Sequence, residues 1–313
     1  MLSPVFKNLR LPIVAAPMFL VSGPDLVIAC CNAGIVGTFP ALNHRTTELF
    51  SQCVDEVAAA TNGAPFGVNL IVHRSNPRLQ ADLMVCVEKK VPLIITSLGA
   101  VKDVVDAVHS YGGLVFHDIT NRRHAEKAAE AGVDGVILVA GGAGGHAGTI
   151  NPFALLAEIR EFFDGTILLA GALSSGRDVA AAIAMGADLA YMGTRFIATT
   201  EADAQEEYKE MIRDAHAEDI VHTPAVSGVP ANFMRQSLEN NGFDLAKITN
   251  PADVDFGKKL SVGDEAKAWK TVWSAGHGVS AIHDEVSVET LIGRMASEFR
   301  QAQEALAAFR DVK

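Results

Sequence analysis

At 313 residues, with 49% hydrophobic and 20% charged side chains, the chain is long enough for one large α/β domain or two smaller ones around a sizeable core. Its 37 acidic against 26 basic residues leave a formal charge of -11 at pH 7 with no basic cluster to offset it, which excludes a nucleic-acid surface. No apolar run reaches the roughly 18 residues of a membrane span and Met1 to Arg10 lacks a signal core, so a cytoplasmic protein without membrane partners is expected.

Short β-branched or apolar runs recur along the chain with helical patterns between them. They predict strands at 13–16, 35–38, 66–70, 93–96, 114–117, 135–139, 167–170 and 189–192. Helices are expected near 23–32, 46–60, 76–90, 101–110, 122–131, 152–162, 176–185 and 202–215. This alternation, at a spacing of about 25 residues, demands a parallel sheet. Eight such units close most simply into a (β/α)8 TIM barrel, with functional groups just after each strand. Cys30, Cys31, Cys53 and Cys86 fall in the helical segments without metal-ligand spacing and are read as reduced packing residues. Two joints look alike, Glu130 to Asp134 and Met185 to Asp188. Each ends a helix on glycine and enters a strand through aspartate, which reads as structural. After residue 215 the rhythm changes: 216–284 reads as a cap or substrate region over the barrel 1–215, with short helical patches near 232–240 and 265–273. The stretch 285–313 holds a long amphipathic helix, 287–309, expected to pack back on the barrel.

The strand ends carry the chemistry. Pro17 and Met18 follow the first strand, as a turn proline with a core methionine or as part of a site. Asn69 stands in an apolar run, where a buried amide must find a ligand or a loop backbone. The segments 96–99 and 117–120 line a site or cap the next helix. After the sixth strand, residues 141–148 form a loop of five glycines around His146, the one side chain there able to move protons near pH 7. Part of that loop fits the dinucleotide pattern G-x-G-x-x-A, but Pro152 marks a later helix start and no acid ends the next strand, so the Rossmann reading fails. Small residues after the seventh and eighth strands, 170–177 and 193–195, suit the place where such barrels hold a phosphate. Among the other histidines, His117 could face the mouth and His277 sits between glycines late in the chain. No H-E-x-x-H or carboxylate–histidine pair suggests a metal.

Together these residues resemble the nitronate monooxygenase (2-nitropropane dioxygenase-like) family of FMN-dependent barrels. The marks are Ala16-Pro17-Met18, Gly67-Val68-Asn69, Ala143 to Gly148, Ala170-Gly171 through Arg177, Met192 to Phe196, and Trp273 to Gly276. The resemblance implies FMN on the barrel mouth, its phosphate held by Gly171, Ala172, Gly193 and Thr194. Pro17, Met18, Asn69, Gly144, Gly145 and Met192 would complete the cofactor site. By the same resemblance His146 is catalytic, taking an α-proton from a nitroalkane or orienting a nitronate, with O2 as the second substrate and a carbonyl compound and nitrite as products. Ser274 and His277 are the candidate substrate residues, and no metal is implied. The resemblance leaves room for a homo-oligomer. The chain departs from the family pattern at Val139 and Gly142, where relatives often carry polar or acidic residues, and at Asp118, where some carry lysine. Two alternatives stay open: an NAD(P)H:quinone or enoyl-acyl-carrier-protein reductase-like enzyme, and a non-catalytic flavin-binding sensor, against which the retained His146 argues.

Overall fold

The computed structural model describes residues 3–99, 102–248 and 270–309. Eight parallel strands close a barrel: β1 (Ile13–Ala15), β2 (Val36–Pro40), β3 (Phe66–Ile71), β4 (Leu93–Ser97), β5 (Leu114–Ile119), β6 (Gly135–Val139), β8 (Thr166–Ala170) and β9 (Leu189–Met192). The ring shuts where β1 pairs with β9, Ile13 opposite Ala190 and Ala15 opposite Met192. A parallel strand covered on both faces reads as a continuous apolar run, which is why these eight were legible. Alternate residues separate the two layers of the core. Val14, Ile95, Phe116, Ile137, Leu168 and Tyr191 pack in the lumen, where Phe6 meets Phe116 with ring centroids 5.8 Å apart. Val136, Leu138, Ile167 and Leu169 face outward, against helices that include α2 (Thr47–Ala60), α5 (Arg122–Ala131) and α6 (Pro152–Arg160).

Both helix-to-strand joints are structural, as expected. Gly132 caps α5 at φ +86°, a left-handed conformation that glycine adopts without strain. Asp134 then accepts the Val115 N–H at 2.8 Å and meets His109 Nε2 at 2.9 Å. Asp188 repeats the device: it accepts the Ile167 N–H at 2.8 Å and pairs with Arg160. The four cysteines are buried, and burial pushes the thiols up, Cys31 to about 11 and Cys53 to about 12.

The region over the mouth corrects the sequence reading. Where a helical patch was expected near 232–240, the chain first forms β11 (Ala231–Met234) and turns helical only in α10 (Arg235–Asn240). β11 pairs antiparallel with β10 (Ile220–Thr223) on one side and with β7 (Gly145–His146), part of the histidine loop, on the other. The reason is tertiary: all four residues of β11 are buried, and the partner strand lies some eighty residues earlier, where local periodicity cannot register it. Most of the patch expected near 265–273 lies outside the described residues, and residues 270–272 form a turn and bend.

The C-terminal helix α12 (Val288–Ala307) packs against α7 (Gly176–Ala184), so closely that a Cβ on Gly176 would lie 1.9 Å from the Met295 carbonyl oxygen. Gly176 is therefore a packing residue. Arg195, expected near a phosphate, is instead 2% exposed and bonded to the Ala198 carbonyl at 3.1 Å and to Asp284 at 2.9 Å, tying the returning chain to the barrel. Among the described residues no helix is long and apolar enough to cross a membrane.

Candidate active site

The C-terminal ends of the strands open into a cavity of about 840 Å3, within the range that takes a small-molecule or cofactor ligand. Pro17 and Met18 line it after β1, Asn69 on β3, Gly144, Gly145 and His146 after β6, Gly171 and Ala172 after β8, and Met192, Gly193 and Thr194 at the end of β9. Ser274 lines it from the late segment. His277 does not: its ring is exposed, and its contribution is a backbone N–H donated to the Gly142 carbonyl at 2.9 Å.

The glycine loop is held by its own backbone. Gly141 N–H donates to Ile150 O at 2.7 Å and Gly148 N–H to Val139 O at 3.0 Å, which folds the loop back on β6. Gly142, at φ +92°, turns its carbonyl to accept both Ala172 N–H at 3.2 Å and His277 N–H. Gly144 and Gly276 meet face to face: a Cβ on Gly276 would lie 2.4 Å from Gly142 O and 2.9 Å from Gly144 N. Close approach of two backbones thus demands glycine here. Asn232 donates to Ala143 O at 2.6 Å and fixes the loop from the cap sheet. His146 is half-buried in the cavity wall, its Nε2 3.4 Å from Ser227 Oγ.

After β9, where a phosphate was expected, Gly193 and Thr194 open the short helix α8 (Thr194–Ile197), and their N–H groups meet no backbone acceptor among the described residues. A Cβ at Gly193 would sit in ordinary van der Waals contact with Met18 Sδ and Ala16 Cβ, 3.4 and 3.5 Å away. Thr194 Oγ1 is already engaged, accepting Gly276 N–H at 3.0 Å. A cavity of this volume, with small residues at one end and the Gly193 and Thr194 N–H groups without a backbone acceptor among the described residues, fits a phosphate-bearing cofactor of the size of FMN, while the Ala172 N–H is already donated to Gly142 O. Among the described residues no group of three His, Cys, Asp or Glu could hold a metal ion.

Polar groups gather on the opposite wall. Asn69 Nδ2 donates to Ile95 O at 3.3 Å and to Ser97 Oγ at 2.7 Å, answering the demand of its burial. Ser97 Oγ donates in turn to Asp118 Oδ2 at 2.5 Å. Burial pushes the Asp118 carboxyl up to about 6, against the opposing pull of the Ser97 hydrogen bond and of His146. His117 meets Thr96 Oγ1 at 2.8 Å, and burial pulls its imidazole down to about 4, which keeps it neutral. At the rim stand Thr120, His124 and Lys127, and Trp273 stacks on Tyr208 with ring centroids 4.9 Å apart. Ser227 and Asn232 were missed as supports of the site, whereas Asp118 lies in a segment already read as lining a site or capping a helix. Asn232 carried the same signal as Asn69, a lone amide in an apolar run.

Comparison with known proteins places this geometry. The family model described as nitronate monooxygenase matches residues 78–298. The nitronate monooxygenase of Paraburkholderia phytofirmans is 27% identical, covering 95% of this chain and 94% of its own length. A (3aS,4S,5R,7aS)-5-hydroxy-7a-methyl-1-oxo-octahydro-1H-indene-4-carboxyl-CoA dehydrogenase of Rhodococcus jostii is 30% identical over 74% of this chain, which spans only 64% of that relative's length. The crystal structure of nitroalkane oxidase from Streptomyces ansochromogenes superposes with a TM-score of 0.83 at 27% identity, covering 97% of this chain and 100% of that one.

Proposed function

The chain belongs to the nitronate monooxygenase family and is a flavin-dependent oxidoreductase, and we propose that its flavin is FMN and that it oxidises alkyl nitronates with O2 to a carbonyl compound and nitrite. The observation that carries this reading is the placement of His146, on a glycine loop tied down by backbone hydrogen bonds, in the wall of a cavity that small residues line at its other end. FMN would supply the electron-accepting chemistry, with O2 as the final acceptor. Gly171, Ala172, Gly193 and Thr194 would hold its phosphate, and Pro17, Met18, Asn69, Gly144, Gly145 and Met192, which line the same cavity, would complete its site. His146 takes the α-proton of a neutral nitroalkane or orients the nitronate anion. Ser274 faces the substrate; His277, exposed, acts only through its backbone.

One observation favours a second reading, an oxidoreductase of acyl thioesters: the similarity to a carboxyl-CoA dehydrogenase, together with Lys127 and His124 at the cavity rim. Anaerobic mixing separates the two. The flavin absorbance of the purified holoenzyme is followed after addition of a small alkyl nitronate, NADH or NADPH. Rapid bleaching by nitronate alone supports the first reading. Bleaching by a pyridine nucleotide and not by nitronate overturns it.

A further inference from the structure

Two of the aspartates at the barrel strands are plainly structural. Asp134 and Asp188 each accept a strand N–H and face a cationic or histidine partner. Asp118 has neither. It sits near the end of β5 in the cavity wall, and its one bond, through Oδ2, is to Ser97. Since Ser97 Oγ accepts from the Asn69 amide, its proton is committed to the aspartate, and the chain Asn69–Ser97–Asp118 terminates on a carboxylate. The second oxygen, Oδ1, is buried with no hydrogen-bond partner among the described residues. A buried acceptor left unmade is costly, so it persists where another event supplies its partner.

The groups around Asp118 narrow what that partner is. On its own strand, His117 is turned to Thr96 and held neutral by burial. From β9, the Tyr191 phenol is pushed well up by burial and by Asp118 itself, so it stays protonated. His124 and Lys127, on α5, stand at the cavity rim. His146 lines the same cavity and acts on Asp118 electrostatically, in the sense that favours the ionised carboxyl. We propose that Asp118 is the positioning residue for proton abstraction at His146: its carboxylate stabilises the positive charge the imidazole acquires on taking the α-proton of a neutral nitroalkane.

The proposal rests on the nitronate reading of the cavity and concerns the step by which a neutral nitroalkane enters it. In the step, the substrate α-C–H bond breaks and an N–H bond forms on the imidazole. The freed electron pair becomes the C=N bond of the nitronate, whose negative charge rests on the two oxygens. No electron leaves the substrate at this stage, so no oxidant is consumed. A preformed nitronate skips the step, and therefore does not need Asp118 in this role.

The test uses FMN-loaded Asp118→Asn, with flavin content confirming the fold. Its ratio of turnover on nitroethane to turnover on preformed ethyl nitronate falls roughly tenfold to a hundredfold below that of the wild type, the effect of removing one facing opposite charge. Ser97→Ala, which keeps the acid and removes its hydrogen bond, lowers the same ratio less. A second readout needs no substrate: the carboxylic infrared band that Asp118→Asn removes titrates near pH 6 in the wild type and moves to higher pH in His146→Ala. An unchanged turnover ratio overturns the proposal, as does a band indifferent to His146→Ala. A wild type that nitronate cannot bleach is a different failure, that of the proposed function itself.

Discussion

A buried carboxyl in a functional wall costs stability, and Asp118→Asn measures the cost. The acid rises from an ordinary 3.8 to about 6 on folding, chiefly because burial disfavours its charge. Between those two values the folded protein binds more protons than the unfolded chain, so stability falls as pH rises through that window and the loss is complete above it. At about 1.4 kcal/mol per pH unit, the ionised Asp118 costs up to about 3 kcal/mol at pH 8. Asparagine keeps the shape, accepts the Ser97 hydroxyl and carries no charge. The variant is then as stable as the wild type near pH 4 and more stable by up to about 3 kcal/mol at pH 8, or roughly 4 °C in a chain of this size. Chemical denaturation of flavin-stripped protein at pH 4, 6 and 8 reads the gap without ligand binding. A gap that does not widen with pH refutes the argument and assigns the effect to packing, and a variant weaker at pH 8 refutes it outright.

The other expectations concern the loop and its supports. His146→Ala loses turnover on neutral nitroalkanes by roughly 10²–10⁴-fold, and more than on preformed nitronates; equal losses in steady-state assays would assign the residue to binding. Gly276→Ala drives a methyl into Gly142 O and Gly144 N, backbone atoms that cannot yield without opening the loop, so it costs about 3 kcal/mol and lowers the flavin content of purified protein. At Gly193 the neighbours leave room for a methyl, so alanine keeps the flavin, while Gly193→Glu puts a long charged side chain into the cavity beside Met18 and Ala16 and loses the yellow colour. Arg195→Ala removes a buried guanidinium from the Ala198 carbonyl and Asp284, and denaturation should show a loss of about 3 kcal/mol, the low end for a buried pair because Asp284 keeps Arg294.

The barrel was legible because each of its strands is a local object. A buried parallel strand announces itself by its own apolar run, and a helix C-terminus by its glycine, as at Gly132. The glycine loop was legible for a related reason: five glycines around His146 have no use in a regular element, so the composition itself marks an irregular backbone. What those glycines do was less so. Gly144 and Gly176 look alike as small residues beside a site, yet one admits the late loop and the other admits α12, and only the partner backbone distinguishes them. The same limit hid the sheet over the mouth, since β7 is two residues long and gains its identity from β11.

Aspartate makes the point most sharply. In sequence, His117-Asp118 reads as a site edge or a helix cap, much as Asp134 and Asp188 read as strand entries. The residue type is constant, and the bonding is what differs. Asp134 and Asp188 accept strand N–H groups that sheet geometry guarantees, so their charge is offset wherever the barrel forms. Asp118 has one hydroxyl on one oxygen and none on the other, a deficit that folding could have removed with asparagine. A deficit of that kind is informative because it is avoidable: burial resists the charge, so a carboxylate kept there has its use in the cavity it faces. The site's substrate preference is written in such departures from the cheapest fold, and they are defined by neighbours rather than by residue type.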